Sequence, residues 1–400
     1  MRSDWVAASV RARSMAQRRV GAGTCRTIAA APGLPEALAQ LADTVYGREL
    51  QSAQTLSHAH RATLSQAHRA TRRTVLWQLR VLAGWLPAGG TRLVRAAAAA
   101  FEADNILALN VSLRREYAAS GNAAHSAAGP TAGNAAQAAG PTAGDAAGIG
   151  TGTGTGFGAG TVKAFDLGGL ATAWPRLQTA ATEEELRLAL ASSPWGDPGP
   201  ETALSDVLTA VWLRRLTAEA AAARPWAAAA AALVAARIVL VDRTAPAPRL
   251  LTLLRPLLGT AWAGSGDPAT TGPAGIAQAS APDPAGLDSA PEDSAGQDSA
   301  GQDSAHPGSA GPEFLRNTLP PAAAQALDGV NRAADLWRAE AALAARIESE
   351  GFSLLRAGLP GPDVVLGAMA VLATDAWRVR AALASAAVRA GTSEVLNAVA

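Results

Sequence analysis

The sequence predicts an all-α protein of three related helical-bundle units, joined by flexible low-complexity linkers. Three observations carry that expectation. No stretch alternates apolar and polar residues as a half-buried strand does, whereas apolar residues recur at helical spacing through each complex segment. Hydrophobic residues make up 49% of the 400, but much of that is alanine, and the large anchors are ten tryptophans, five phenylalanines and two tyrosines. A thin, helix-based core held by tryptophan follows from that balance. Finally, Leu41-Ala42-Asp43-Thr44-Val45-Tyr46-Gly47 returns as Leu190-Ala191-Ser192-Ser193-Pro194-Trp195-Gly196. Each copy closes a short Ala/Leu-rich run and precedes a longer arginine-bearing one, as a duplicated helical unit would.

Two segments divide the units. Residues 119–162 hold AAGPTAGNAAQAAGPTAGDAAG and then GTGTGTGFGAG, and residues 263–312 hold DPAGLDSAPEDSAGQDSAGQDSA. Short-period Gly, Ala, Ser and Pro with few large apolar side chains cannot offset chain entropy, so both are expected to be flexible. They leave units at 1–118, 163–262 and 313–400.

In the first unit, Trp5, Val6, Val10 and Met15 recur near helical spacing, with Arg11, Arg18 and Arg19 on the other faces. Pro32, Gly33 and Pro35 interrupt the chain before a short helix over 36–42, which the Tyr46 motif closes. A long helix is expected over 48–86, stopped by Pro87-Ala88-Gly89-Gly90. Two further helices follow, 91–101 and 104–116. The second of these carries Ile106, Leu109 and Leu113 on one face, acids at its start and Arg114-Arg115 at its end, which suits the helix dipole. The second unit opens on Thr182-Glu183-Glu184-Glu185, a capping-box pattern. After the Trp195 motif, helices are expected over 201–223, 226–242 and 250–258. The third unit offers helices over 322–350 and 363–389, separated by a break at Gly358–Pro362.

Charge and motif content narrow the function. Residues 1–118 hold sixteen arginines against seven acids, whereas 263–312 is purely acidic. A basic first unit suits an acidic protein partner. No aromatic interleaving or recognition motif accompanies the arginines, so nucleic acid is not an expected partner. Cys25 is the single cysteine, which excludes an intramolecular disulfide and fits a reducing compartment. The N-terminus places Asp4 and arginines where a signal peptide needs an apolar core. The longest apolar run, 225–241, is mostly alanine and falls short of a spanning helix. His58, His60 and His68 lack the three- or four-residue spacing of helical metal ligands and are expected on a solvated face. The Gly-Thr alternation at 150–156 lacks the Lys-Ser/Thr of a phosphate loop, and Lys163 follows it without that geometry. Arg69, Arg72 and Arg73 suit a solvated face or an acidic docking partner, and Trp77, Trp85, Trp212, Trp226 and Trp337 suit core anchors. Asp104 and Asn105 suit a helix cap. No catalytic, cofactor or metal constellation emerges.

Several of these residues nevertheless form a pattern. Ala7 to Met15, with Arg11 and Arg13 alternating before an apolar residue, resembles the opening helix of the C/d subunit family of V-type ATP synthases and vacuolar ATPases. Leu41 through Thr44 and Tyr46 is similar to that family's Leu-x-x-Thr-x-Tyr element, and Phe101-Glu102-Ala103-Asp104-Asn105-Ile106 through Arg114-Arg115 to its Asp-x-x-Asn-Ile helix. Phe165–Leu170 and the Trp195 motif fit the corresponding positions of the second unit. In the third, Val365-Leu366-Gly367-Ala368-Met369 through Trp377-Arg378-Val379-Arg380 is similar to the closing helix, with Thr374-Asp375 in place of the family's Lys-Glu pair. The resemblance runs through all three units in order. It implies a funnel-like array of three bundles, peripheral on the cytoplasmic face of the membrane. That array would couple the central stalk to the membrane rotor ring during proton or sodium transport, without cofactor or catalysis of its own. Its partner contacts would fall among Arg11, Arg13, Thr44, Tyr46, Asp104, Asn105, Arg114, Arg115, Trp195, Gly367 and Arg378. A cytosolic helical-repeat adaptor is the alternative.

Overall fold

A computed structural model describes residues 3–54, 60–127, 163–200, 202–264, 312–356 and 358–389. Among these residues all regular structure is helical. The first stretch contributes α1 (Val6–Gln17), α2 (Gly21–Ala29), α3 (Leu34–Gln40) and α4 (Gly47–Gln54). Then come α5 (His60–Ala83) and α6 (Thr91–Ala127). The middle of the chain supplies α7 (Trp174–Leu177), α8 (Glu183–Ala191), α9 (Leu204–Glu219), α10 (Arg224–Arg237) and α11 (Pro248–Gly264). The last part holds α12 (Pro312–Thr318), α13 (Pro321–Ala324), α14 (Leu336–Arg356) and α15 (Pro362–Ala387).

Local chemistry sets several boundaries. Prolines open α3, α10 and α15, where the missing N–H has no helical acceptor to lose. Thr182 caps α8: its hydroxyl accepts from Glu185 N–H at 3.1 Å, while Glu185 accepts from Ala181 N–H at 2.8 Å. The expected pair of helices over 91–116 is instead one continuous α6 that runs on to Ala127, past the expected unit boundary at 118. Nothing between Phe101 and Asp104 breaks a helix, and the acids there turn inward rather than cap. The helix expected over 48–86 is described in two parts, α4 and α5, with 55–59 outside the described residues. The low-complexity segments, with the Gly-Thr alternation and His58, also lie outside the described residues, apart from the end of α6, residues 263–264 at the end of α11, and Pro312.

The side chains pack into two principal cores. One gathers α1 to α5, the early part of α6, Phe165 to Leu170 and most of α15. The other gathers the middle of α6, α7 to α13 and the first half of α14. The long helices α6 and α14 serve both: Val94 and Phe101 face the first core, Ile106 and Leu113 the second, and Leu355 and Leu343 divide likewise. The chain's last described helix, α15, therefore sits against its first ones. Val365, Ala368, Val379 and Leu383 are fully buried among α1, α2, α3 and α5.

One apolar segment is longer than its sequence suggests. A 3-10 turn before α10 and a π turn after it make Ala221–Asp242 continuous, long and apolar enough by composition to cross a membrane. In this fold 61% of that window is buried, packed on α9, α11, α13 and α14. The tryptophans divide. Trp195, Trp226, Trp262 and Trp377 are buried anchors, whereas Trp77 and Trp85, expected in the core, are half-exposed on and just beyond α5.

Candidate functional site

The repeated heptapeptide folds the same way twice. In the first copy, Thr44 N–H donates to Leu41 O at 3.1 Å, the Thr44 hydroxyl donates to the same carbonyl at 2.7 Å, and Tyr46 N–H donates back to that hydroxyl at 3.3 Å. In the second, Ser193 N–H and hydroxyl donate to Leu190 O at 2.9 and 2.8 Å, and Trp195 N–H donates to the Ser193 hydroxyl at 3.1 Å. A hydroxyl residue at the fourth position thus closes a local turn in both copies. The terminal glycine is required for two different reasons. A Cβ on Gly47 would lie 1.8 Å from Ala42 O, whereas Gly196 has φ +73°, which disfavours any side chain.

Each turn drives its aromatic residue into the protein, and each aromatic meets a buried carboxylate from a distant helix. Tyr46 donates its hydroxyl to Asp375 of α15 at 2.9 Å. Asp375 also accepts Val20 N–H at 3.0 Å and Gly21 N–H at 2.7 Å from the start of α2. Trp195 donates its indole N–H to Glu102 of α6 at 3.2 Å. Glu102 also accepts the N–H groups of Thr172, Ala173 and Trp174 at 2.9, 2.7 and 2.7 Å, at the start of α7. Both carboxylates are almost fully buried. Each node therefore ties an aromatic turn, the N-terminal end of a helix and a distant long helix through one acid.

Charge around the first node is tightly arranged. Burial raises Asp375 above the usual carboxylate range, against the opposing pull of its two backbone donors. Burial and the neighbouring Asp375 push the Cys25 thiol up to about 12, so it stays protonated and unreactive. One turn beyond Asp375, Arg378 forms a two-pronged ion pair with Glu348 of α14, in which Nη1 lies 2.6 Å from Oε1. Arg19 approaches the same Glu348 at 3.9 Å. Arg380 is half-buried, and loss of solvent with Arg72 nearby holds it down to about 10. His68 lies against the Arg380 carbonyl, Nε2 to O 3.1 Å, and burial lowers it to about 4. His68 is therefore a half-buried histidine held against α15 rather than part of a fully solvated face.

The other expected residues distribute along this frame. Asp104 and Asn105 lie within α6 and cap nothing. Asp104 pairs with Arg72. Asn105 clasps the backbone of Phe165, donating to its carbonyl at 2.9 Å and accepting its N–H at 2.7 Å. Arg69 and Arg72 stack on Phe165, 4.2 and 5.7 Å from its ring centre, and Arg73 makes a partly exposed pair with Glu49, so this run is engaged within the fold. Arg114 reaches Glu183 at 2.6 Å, and Arg115 is exposed beside it. Arg13 donates Nε to Leu355 O at 3.0 Å, and Arg11 is half-buried. Gly367 lies where α14 and α15 touch: a Cβ there would sit 2.5 Å from Gly351 O. The structure thus places Tyr46 and Arg378 on two neighbouring contacts of one stretch of α15, sets Asn105 and Trp195 in the region of the second node, and leaves Arg13 and Arg114 at the periphery.

The acids that organise both nodes do not stand out from sequence motifs. Asp375 is the one acid of α15 after its first turn, set in a long apolar run, and Glu102 follows Phe101 in an alanine-rich helix. An isolated acid in the apolar stretch of a helix is a signal for a buried partner. No protein-family model, curated protein or solved structure matches the chain.

Proposed function

We propose that this chain is a non-catalytic coupling subunit of a rotary V-type ATPase or ATP synthase, joining the central stalk to the membrane rotor ring for proton or sodium transport. In this reading it lies on the cytoplasmic face of the membrane, held there through the ring. Its three units form a funnel-like array in which α15 closes the first. The observation that supports the reading best is the duplicated aromatic–carboxylate node, because it occurs at motifs that resemble the C/d family in both units. A torque-bearing adaptor needs bodies that resist shear, and a buried acid with three or more donors from separate segments locks their relative position. Distributed locking of this kind suits transmission of force and leaves both ends free to meet partners.

The reading is tested by gentle affinity purification of the tagged chain from membranes of its native host, with quantitative mass spectrometry of what accompanies it. Recovery of rotor-ring and central-stalk proteins in fixed ratio is the expected result. Recovery of the chain alone from the soluble fraction would overturn the rotary role in favour of a free helical adaptor.

A further inference from the structure

The face of α1 turned away from the first core carries a second kind of information. Val6, Val10, Arg13 and Gln17 fall at heptad spacing, within an arc of about 60° on the helix. Val6 is 46% and Val10 61% exposed, although α1 buries Ala8, Ala12, Met15 and Ala16 on its other side. The stripe opens at its C-terminal end into a groove of about 420 Å³ between α1 and α14, floored by Ala16, Phe352 and Leu355 and flanked by Arg13 and Arg356. The turn that follows α14 is tied to α1 through Gly361 N–H and the Ser9 hydroxyl, 3.2 Å apart, and presents Leu359, 57% exposed.

We propose that this stripe and groove form a docking surface for an acidic amphipathic helix of another polypeptide. Helical geometry follows from the heptad spacing and from a groove bounded by two helices, the arrangement that accepts an apolar helix face. The acidic character follows from charge. Arg13 and Arg356 flank the groove and, among the described residues, neither has a carboxylate partner. Arg13 donates its Nε to Leu355 O at 3.0 Å, at the edge of the groove. No acid lies on α1 at all. An incoming helix with apolar residues at its own a and d positions would cover Val6, Val10, Phe352 and Leu359, while glutamates beside them met the two arginines. The surface is separate from the buried nodes and holds whether or not the chain works in a rotary complex.

The test places the photo-crosslinker p-benzoylphenylalanine at position 10 of the full chain in its native host, with a second version carrying it at exposed Leu188 as control. The expected adduct at position 10 maps to an acidic segment of a different polypeptide with apolar residues three and four apart. Its yield should fall about tenfold with Arg356→Glu and stay within about twofold with Arg356→Lys. Arg356 is exposed and has no carboxylate partner among the described residues, and an unchanged melting temperature in both variants separates lost docking from lost folding. No adduct, an adduct to lipid, to a second copy or to a segment without acids, or an equal yield of the same adduct at Leu188, would each overturn the proposal.

Discussion

Single side chains decide how tightly the two nodes hold. Tyr46→Phe keeps the ring and removes one of three donors to the buried Asp375, and should cost about 1–3 kcal/mol in chemical denaturation. A loss under about 0.5 kcal/mol, below the usual net worth of one hydrogen bond, would mean that Asp375 is satisfied by the α2 backbone alone. Two further groups set the pH dependence. His68 is held at about 4 against an ordinary 6.5, so the unfolded chain takes up its proton first and stability falls as pH drops from 6.5 towards 4. Glu340 behaves oppositely. Burial raises it from 4.5 to about 8, the folded chain keeps the proton longer, and its contribution to stability declines as pH rises from 4.5 through 8. Glu340→Gln should therefore flatten the melting temperature between about pH 5 and 8, and His68→Gln the acid limb. Unchanged slopes in both variants would assign the pH dependence to other groups.

Between helices, the tightest demand is the crossing of α14 and α15. Gly367 and Gly351 let the two backbones approach so closely that a methyl at 367 would meet a carbonyl oxygen at 2.5 Å and Leu354 Cβ at 2.9 Å. Gly367→Ala should destabilise by about 1–3 kcal/mol or more, read as a lower denaturation midpoint. This scale also shows what local pattern carries. Periodicity, prolines and the Thr182 cap make most helices legible, including α8 and α15. Acids at 102 and 104 imitate a helix start, and only the chain packed against α6 reveals that Glu102 and Asn105 reach inward for the 165–174 backbone. The exposure of Trp77 and Trp85 is hidden for a related reason, because helical phase alone does not say which side another helix will cover.

For the molecule as a whole, the all-α class is legible, and so is the repeat, whose two copies share their turn, their buried aromatic and their carboxylate. The pairing of the last helix with the first ones is not, because no residue on α15 encodes a contact hundreds of positions away except through shape and one lone acid. That pairing predicts that residues 1–127 expressed alone will show no cooperative melt, and that co-expression with 336–389 will restore one. A cooperative melt of the fragment by itself would show that the first core closes without α15.

The same arrangement imposes an order on synthesis. Helices α1 to α5 leave the ribosome early, with Ala8, Ile28, Leu38 and Tyr46 facing a core that α15 completes. More than three hundred residues separate α1 from α15. For the time needed to translate them, at roughly 5–20 residues per second, those apolar faces must be shielded by something other than their native partner. The newborn chain is thus a natural client for a holding chaperone, and its maturation is timed by its own far end.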